Sequence, residues 1–163
     1  MYKFEKLVGG GNFGTVRLAH RISDPNIKYA VKSILRQNIK KDVKLLEEEL
    51  AILQQVDHPN IIKFHESYVD YRYIHIVMEL ACGGELFDKI VQLQRFSERR
   101  AAETIKKMLS AIKHLHEHKI CHRDLKPENF LYSDDSPDAE IKLIDFGLSK
   151  RFGSNKIQSK DGN

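Results

Sequence analysis

The sequence contains few cysteines, few prolines and no long hydrophobic run. Two cysteines in 163 residues exclude a disulfide-stapled scaffold and a zinc site built on cysteine. No apolar stretch approaches the roughly 20 residues that a membrane-spanning helix needs, and Met1 to Val8 lack the apolar core of a signal peptide. Nine glycines and four prolines are too few for a linker or a collagen-like chain. We therefore expect a folded protein of the reduced cytoplasm.

The sequence also has little excess of one charge. Its 27 Lys and Arg residues stand against 23 Asp and Glu residues, and the net charge of +4 is spread along the chain. A surface that binds nucleic acid concentrates positive charge on one face and places aromatic side chains between the charges. The composition therefore disfavours nucleic acid as a partner. The 41% of hydrophobic residues is enough for a packed core.

The first 79 residues show the pattern of an antiparallel sheet with one helix. Segments rich in β-branched and aromatic residues alternate with a glycine cluster at 9–14 and a turn at 24–26. From about Asp42 the apolar residues recur at the helical period, which predicts a helix that ends near Val56. The segment 58–60 breaks this helix. Strands are expected at 4–8, 15–19, 29–34, 61–69 and 73–79.

The second half of the sequence is predominantly helical. Helices are predicted over 85–94 and 97–118, with Ser97 as the N-cap of the second, and short strands over 130–132 and 141–144. The predicted fold class is therefore α+β. One face of the second helix is predicted to carry the apolar side chains of Ile105, Met108, Leu109, Ile112 and Leu115.

A glycine pattern, Gly9-x-Gly11-x-x-Gly14-x-Val16, lies between two predicted strands. In a dinucleotide-binding fold such glycines would open a helix in a parallel unit. Because the chain returns here as a strand, the glycines are expected to form a hairpin whose backbone N–H groups can cover phosphates. A glycine-rich hairpin without a ligand fits the pattern equally well.

Lys32 lies within a strand that is expected to be mostly buried, where an unpaired ammonium group is costly. Three glutamates follow on the predicted helix. Only Glu49 lies on the apolar side of that helix, whereas Glu47 and Glu48 are expected to project into water. The sequence therefore predicts an ion pair between Lys32 and Glu49. The alternative is a lysine that extends from a strand edge into solvent.

The strongest signal is the octapeptide HRDLKPEN at 122–129, which follows a predicted helix and precedes a predicted strand. The tripeptide DFG begins sixteen residues after Asn129, again after a predicted strand. Four fixed residue types at these offsets occur by chance about once in 10⁵ starting positions. A polar loop without chemistry is the alternative, and the downstream tripeptide disfavours it.

Taken in order, these four motifs resemble the signature of eukaryotic protein kinases. Lys126 in the loop is similar to serine/threonine rather than tyrosine kinases. The segments 29–32, 83–88 and 144–149 resemble the calcium/calmodulin-dependent group, and 121–131 is similar to the calcium-dependent kinases of plants and protists. The resemblance implies a two-lobed kinase fold, with the N-lobe over 1–79 and the hinge and first part of the C-lobe over 80–163.

The resemblance also implies the chemistry: transfer of the γ-phosphoryl group of Mg-ATP to a Ser or Thr hydroxyl of a protein substrate. Basic residues near that hydroxyl are compatible with the resemblance. Asp124 would orient the hydroxyl and accept its proton. The implied catalytic residues are Asp124, Lys126, Lys32 and Glu49, and the implied Mg²⁺ ligands are Asn129 and Asp145. The implied nucleotide-binding residues are Val8, Gly9, Gly10, Gly11, Asn12, Phe13, Gly14, Val16, Ala30, Lys32, Met78, Glu79, Ala81, Glu85, Glu128, Leu131 and Asp145. Each apolar member of this set could equally be an ordinary core residue.

The sequence departs from the family pattern after Gly147, because no activation segment with an Ala-Pro-Glu-like anchor follows. We therefore expect a C-terminally truncated domain with only part of the helical lobe. Calcium-binding EF-hand loops are also absent from the sequence, so any calcium sensor would be encoded outside this segment. Two hypotheses remain: a serine/threonine kinase, or a truncated fragment that binds nucleotide or a partner without phosphorylating.

Overall fold

The computed structural model describes residues 1–11, 14–39, 43–92 and 97–152. Its first half is a five-stranded antiparallel sheet in the order β1-β2-β3-β5-β4, which confirms the α+β class. The strands are β1 (Tyr2–Gly11), β2 (Gly14–Arg21), β3 (Asp24–Leu35), β4 (Phe64–Val69) and β5 (Tyr73–Glu79). Between β3 and β4 lie a one-turn helix, α1 (Arg36–Ile39), and the longer α2 (Val43–Gln55).

The second half is built on two helices, α3 (Leu86–Gln92) and α4 (Glu98–Glu117). The Ser97 side chain accepts a hydrogen bond from the Arg100 N–H and caps α4, as predicted. Short strands follow: β6 (Ile120–Cys121), β7 (Phe130–Tyr132), β8 (Ile141–Leu143) and β9 (Lys150–Arg151), with a one-turn 3₁₀ helix at Pro127–Asn129. β7 pairs with β8, and β6 with β9. None of the helices in the described ranges is long and apolar enough to cross a membrane.

Strand β4 begins later than predicted, at Phe64 rather than at residue 61. Ile61 and Ile62 do not join the sheet. They are buried in a hydrophobic core that also contains Leu143 of β8. The Ile62 N–H donates to the Leu143 carbonyl at 2.9 Å, and the Leu143 N–H donates to the Asn60 carbonyl at 2.8 Å. This backbone pairing ties the α2–β4 connection to the strand that precedes Asp145.

The predicted apolar face of α4 is also partly wrong. Thr104, Ala111 and Leu115 are buried, whereas Ile105 and Leu109 are 54% and 59% exposed. Residues 104, 108, 111 and 115 recur at helical spacing and form the stripe that packs inward. Ile105 and Leu109 lie one residue further round the helix, about 100° from that stripe. Apolar character alone therefore did not identify the face that packs.

The boundaries of two further elements differ from the prediction. The predicted turn at 24–26 belongs to β3, because Arg21 pairs directly with Asp24 and the reversal occurs at residues 22–23. The helix predicted over 85–94 is described as Leu86–Gln92, and its last two positions lie outside the described residues.

The sheet has two faces with different cores. The face towards α2 contributes Ile34 and Ile76 to the main core, which continues into the second half through Phe130 and Leu143. The opposite face, here called the outer face, carries a smaller cluster. Its members are Ala19, Tyr29, Val31 and Val77, with Tyr2, Phe4 and Tyr68 packed against them.

Candidate functional site

The glycine motif lies in the β1–β2 hairpin, in the strand–turn–strand context that the sequence predicted. Gly9 pairs with Val16, and Gly11 with Gly14. A Cβ atom at Gly14 would lie 2.3 Å from the Ser33 carbonyl oxygen, so the hairpin can rest on β3 only if this residue has no side chain. Asn12 and Phe13, also predicted to bind nucleotide, lie outside the described residues.

Lys32 and Glu49 form the predicted ion pair. The Lys32 Nζ lies 2.7 Å from the Glu49 Oε1, and the two side chains are only 15% and 9% exposed. Glu47 and Glu48 are exposed, as expected for the other side of the helix. A second carboxylate oxygen, Asp145 Oδ1, lies 4.0 Å from the same ammonium group. Lys32 therefore bridges α2 and the segment after β8.

The loop at 122–129 gathers two polar side chains around one carboxylate. The Lys126 Nζ lies 2.8 Å from Asp124 Oδ2, and the Asn129 Nδ2 lies 3.0 Å from the same oxygen. Asn129 also donates to the Asp124 carbonyl at 2.7 Å. The hydrogen bond from Lys126, followed by that from Asn129, lowers the pKa of Asp124, while the bond to Asp124 raises the pKa of Lys126. Asp124 is therefore an ionised, oriented acceptor.

His122 connects this loop to the end of β8. Burial lowers its pKa, so the ring is neutral at physiological pH. With one ring proton, the geometry assigns Nε2–H as donor to the Ile144 carbonyl at 3.2 Å and Nδ1 as acceptor from the Asp124 N–H at 3.3 Å. The ring of Phe146, only 1% exposed, packs edge-on against His122 at 5.0 Å. His122 thereby connects the backbone of Asp124 to that of Ile144, the residue before Asp145.

Asp145 and Arg123 both have left-handed backbone conformations, with φ of 59° and 66°. Such values are uncommon for residues other than glycine and mark positions that the surrounding structure must hold in place. Arg123 is held by a hydrogen bond from its Nε to the Leu148 carbonyl at 2.6 Å. The Asp145 Oδ1 accepts the Gly147 N–H at 3.3 Å, and the side chain is half exposed.

Two of the apolar residues predicted to contact a nucleotide base, Met78 and Ala81, pack against the main core. None of the predicted apolar residues is fully buried, and Ala30 and Met78 face each other across β3 and β5. Partial burial is expected for side chains that line an open cleft. The half-buried residues are Val16, Ala30, Met78, Ala81 and Leu131, and Val8 is exposed.

The segment after Met78 is anchored by contacts that sequence reasoning missed. Glu79 receives the Lys142 ammonium at 2.7 Å and the Lys63 N–H at 3.1 Å on its carboxylate, and its own N–H donates to the Lys63 carbonyl at 2.8 Å. Lys142 is 12% exposed. It stands in the apolar strand β8 just as Lys32 stands in β3, so the same reasoning about a lysine in an apolar strand could have found it.

The two remaining predicted positions near this segment have different surroundings. Glu85 forms an isolated antiparallel bridge with Leu131, which places it at the start of α3 beside β7. Glu128 is exposed on the 3₁₀ turn. The described residues contain no cluster of three or more His, Cys, Asp or Glu side chains that could hold a metal ion. The two metal ligands predicted from the sequence, Asp145 and Asn129, are one carboxylate and one amide, so they do not by themselves form such a cluster.

Comparison with known proteins decides the family. The protein kinase domain family matches residues 2–162. The chain belongs to the protein kinase family. It is 42% identical over 149 residues to a calcium/calmodulin-dependent protein kinase of Metarhizium anisopliae, covering 91% of this chain and 38% of that protein.

Two further relatives belong to the same broad group of kinases. A calcium/calmodulin-dependent protein kinase type 1 of Macrobrachium nipponense is 40% identical over 149 residues, covering 91% of this chain and 43% of the relative. Calcium-dependent protein kinase 14 of Arabidopsis thaliana is 43% identical over 154 residues, covering 93% and 29% respectively. The chain thus spans less than half the length of each of these relatives.

The charged residues of the described site form two groups. Lys32 and Glu49 meet near Asp145, and Asp124 is surrounded by Lys126 and Asn129. His122 links the two groups, and the charge of Asp145 also acts on Lys126. Such a site holds fixed positive charge and oriented oxygen ligands side by side, as the binding of a metal–phosphate complex requires.

Proposed function

We propose that this chain carries the nucleotide-binding and catalytic-loop parts of a protein serine/threonine kinase, which transfers the γ-phosphoryl group of Mg-ATP to a Ser or Thr hydroxyl of a protein substrate. The observation that carries the proposal is the hydrogen-bonded group of Asp124, Lys126 and Asn129 beside Asp145 and the Lys32–Glu49 pair. Phosphoryl transfer depends mainly on positioning and charge stabilisation, and this group supplies both.

Asp124 would accept a hydrogen bond from the substrate hydroxyl and orient its oxygen towards the γ-phosphorus. Because its pKa is lowered, Asp124 is a weak base and would take the proton late, as the new P–O bond forms and the bond to the β-phosphate oxygen breaks. Lys126 would offset the negative charge on the transferred group. Lys32, held by Glu49, would contact the α- and β-phosphates.

Asn129 and Asp145 suit Mg²⁺ because both offer hard oxygen ligands. The Asn129 Nδ2 donates both of its protons to Asp124, which fixes the amide and leaves Oδ1 as its metal-binding atom. Asp145 is half exposed and can reach a ligand from solvent. Bound Mg²⁺ would supply neutralisation of the phosphate charge.

The proposal extends to the nucleotide base and to the biological setting. The backbone of Glu79 and Ala81 would bind the purine edge between Val8, Val16, Ala30 and Leu131, beside Met78. Lys126 in the loop supports Ser/Thr specificity, and the names of the relatives support a calcium-signalling context. A calcium sensor would lie outside this sequence.

The test is a pair of measurements on this chain: calorimetric binding of Mg-ATP, and transfer of radiolabelled phosphate to peptides that differ only in a Ser, Thr or Tyr acceptor. We expect Mg²⁺-dependent binding, and at most weak labelling that is confined to the Ser and Thr peptides. Asp124→Asn should keep binding and abolish labelling, which excludes a contaminating kinase. Binding without any transfer would support the non-catalytic fragment instead, and absence of both would refute the proposal.

A further inference from the structure

A chain of three polar side chains crosses the outer face of the sheet, on the side away from the candidate site. The Ser33 Oγ lies 2.9 Å from His75 Nδ1, and His75 Nε2 lies 3.0 Å from Asp70 Oδ2. Ser33 and His75 are 7% and 5% exposed and occupy directly paired positions of β3 and β5. Asp70 stands in the β4–β5 turn. We call these three residues the outer-face relay.

The hydrogen-bond directions in the outer-face relay follow from the acceptor at its end. The ionised Asp70 carboxylate accepts from His75 Nε2 and from the Arg72 and Tyr73 N–H groups, and these bonds lower its pKa to about 2. In the singly protonated ring, Nδ1 is then an acceptor, and the Ser33 hydroxyl donates to it. Because Ser33 is only 7% exposed and its hydroxyl is bonded to His75, this hydroxyl cannot serve as a nucleophile for an external substrate.

The relay ends at the position where the glycine hairpin and Lys32 meet. Ser33 follows Lys32 directly in β3, and its other strand neighbour is Thr15, which follows Gly14. The carbonyl of Ser33 is the atom on which Gly14 rests, since a Cβ there would come within 2.3 Å. A shift of β3 at Ser33 would therefore move Lys32 relative to Glu49 and move the end of the glycine hairpin with it.

We propose that Ser33, His75 and Asp70 are positioning residues for nucleotide binding. Their hydrogen bonds on the outer face hold β3 in place, so that Lys32 and the glycine hairpin keep their positions relative to each other. The inference deepens the proposed function and rests on it for its effect on nucleotide. The β4–β5 turn is a firm support for the relay, because the Arg36 guanidinium binds the carbonyls of Asp70 and Tyr71, each at 3.3 Å.

The packing around His75 allows the relay to be cut without removing a ring. Phe4, Tyr68 and Tyr73 have ring centroids 5.5, 4.6 and 5.8 Å from the imidazole. His75→Phe keeps an aromatic ring among them and removes both hydrogen bonds. In His75→Asn the amide oxygen replaces Nδ1 and keeps the bond to Ser33, while the bond to Asp70 is lost. Tyr68→Leu is the matched control, because it weakens packing on His75 but leaves the relay atoms in place.

The first measurement is amide hydrogen exchange of this chain without nucleotide, which reports local opening. For His75→Phe we expect exchange in 14–18 and 30–34 to rise about tenfold more than in 130–143, a change within the range of couplings through packed networks. His75→Asn, which keeps the bond to Ser33 and loses the bond to Asp70, should restore part of the protection of both segments. Tyr68→Leu should change the exchange rates in 14–18 and 30–34 by the same factor as those in 130–143. Uniform changes in His75→Phe, or the same local pattern in Tyr68→Leu, would overturn the inference.

The second measurement is the affinity for Mg-ATP by calorimetry, well below the unfolding temperature of every variant. His75→Phe, which loses both bonds, should bind about fivefold more weakly than the wild type, and His75→Asn, which loses only the bond to Asp70, about twofold more weakly. Unchanged affinity in His75→Phe would refute the role in nucleotide binding. If the wild-type chain binds no nucleotide, the proposed function fails, and the exchange result alone still decides whether the relay positions β3.

Discussion

Removing the Lys32 ammonium should destabilise the fold much more than removing an exposed lysine. Glu49 is 9% exposed and lies 2.7 Å from the ammonium, and a second carboxylate, Asp145, is 4.0 Å from it. Lys32→Met would leave a buried carboxylate without its cation, which typically costs about 3 kcal/mol of unfolding free energy. For a chain of this size, with a urea dependence of about 2 kcal/mol per molar, the unfolding midpoint should fall by about 1.5 M.

The matched control is Lys113, whose ammonium lies 3.7 Å from Glu117 on the surface of α4, with the two side chains 77% and 60% exposed. Lys113→Met should lower the unfolding free energy by less than about 0.5 kcal/mol, because exposed pairs contribute little. In the double variant Lys32→Met/Glu49→Leu the buried carboxylate is gone, and most of the lost stability should return. Equal effects of Lys32→Met and Lys113→Met in urea unfolding would refute the reasoning.

Three further predictions concern the segment after Met78, the glycine hairpin and the β4–β5 turn. Lys142→Met should weaken Mg-ATP binding, measured by calorimetry, by about fivefold, because Glu79 loses the cation that anchors it beside the purine edge; unchanged affinity would contradict this. Gly14→Ala should lower the midpoint of thermal unfolding and abolish nucleotide binding, since its methyl group would lie 2.3 Å from the Ser33 carbonyl, whereas Gly10→Ala has open space and should not destabilise. Asp70 has its pKa lowered from 3.8 to about 2 in the fold, so its stabilising effect is full above pH 4 and is lost as the pH falls towards 2. In Asp70→Asn the unfolding free energy should therefore depend less on pH in that window. An unchanged slope of unfolding free energy against pH would contradict this role of Asp70.

The sequence predicted those parts of the site in which a residue type has few possible partners or environments. A lysine in an apolar strand needs a partner, and helix periodicity left Glu49 as the only one on the correct side. The same periodicity failed for Ile105 and Leu109, because an apolar residue tolerates exposure and so does not report which face packs. The start of β4 was missed because residues 61–62 pair with β8, a contact between distant segments that no local pattern encodes.

Polar side chains buried within strands were the least predictable. Alternation places Ser33 and His75 on one face of the sheet, but only the register of β3 with β5 sets them opposite each other. Asp70 then joins through a turn whose geometry depends on its own hydrogen bonds to the Arg72 and Tyr73 N–H groups. Which polar side chains bond to each other thus depends on strand register and turn geometry, and both are properties of the assembled sheet.

The charges of the candidate site argue that nucleotide and metal must bind together. The two groups of charged residues described above contain three carboxylates, of Glu49, Asp124 and Asp145, and two ammonium groups, of Lys32 and Lys126, each of which already has a carboxylate partner. A site with one surplus negative charge repels a free triphosphate, so ATP with EDTA should bind at least about tenfold more weakly than Mg-ATP.

Replacing one carboxylate should separate the two contributions. Asp145→Asn removes the surplus charge and a metal ligand together, so it should strengthen binding of metal-free ATP while weakening binding of Mg-ATP. The control is Asp135→Asn: Asp135 is 86% exposed and pairs with Lys89, which belongs to neither group of charged residues of the site, so neither affinity should change. If Asp145→Asn shifted both affinities in the same direction, the charge balance of the site would not be what makes nucleotide binding depend on the metal.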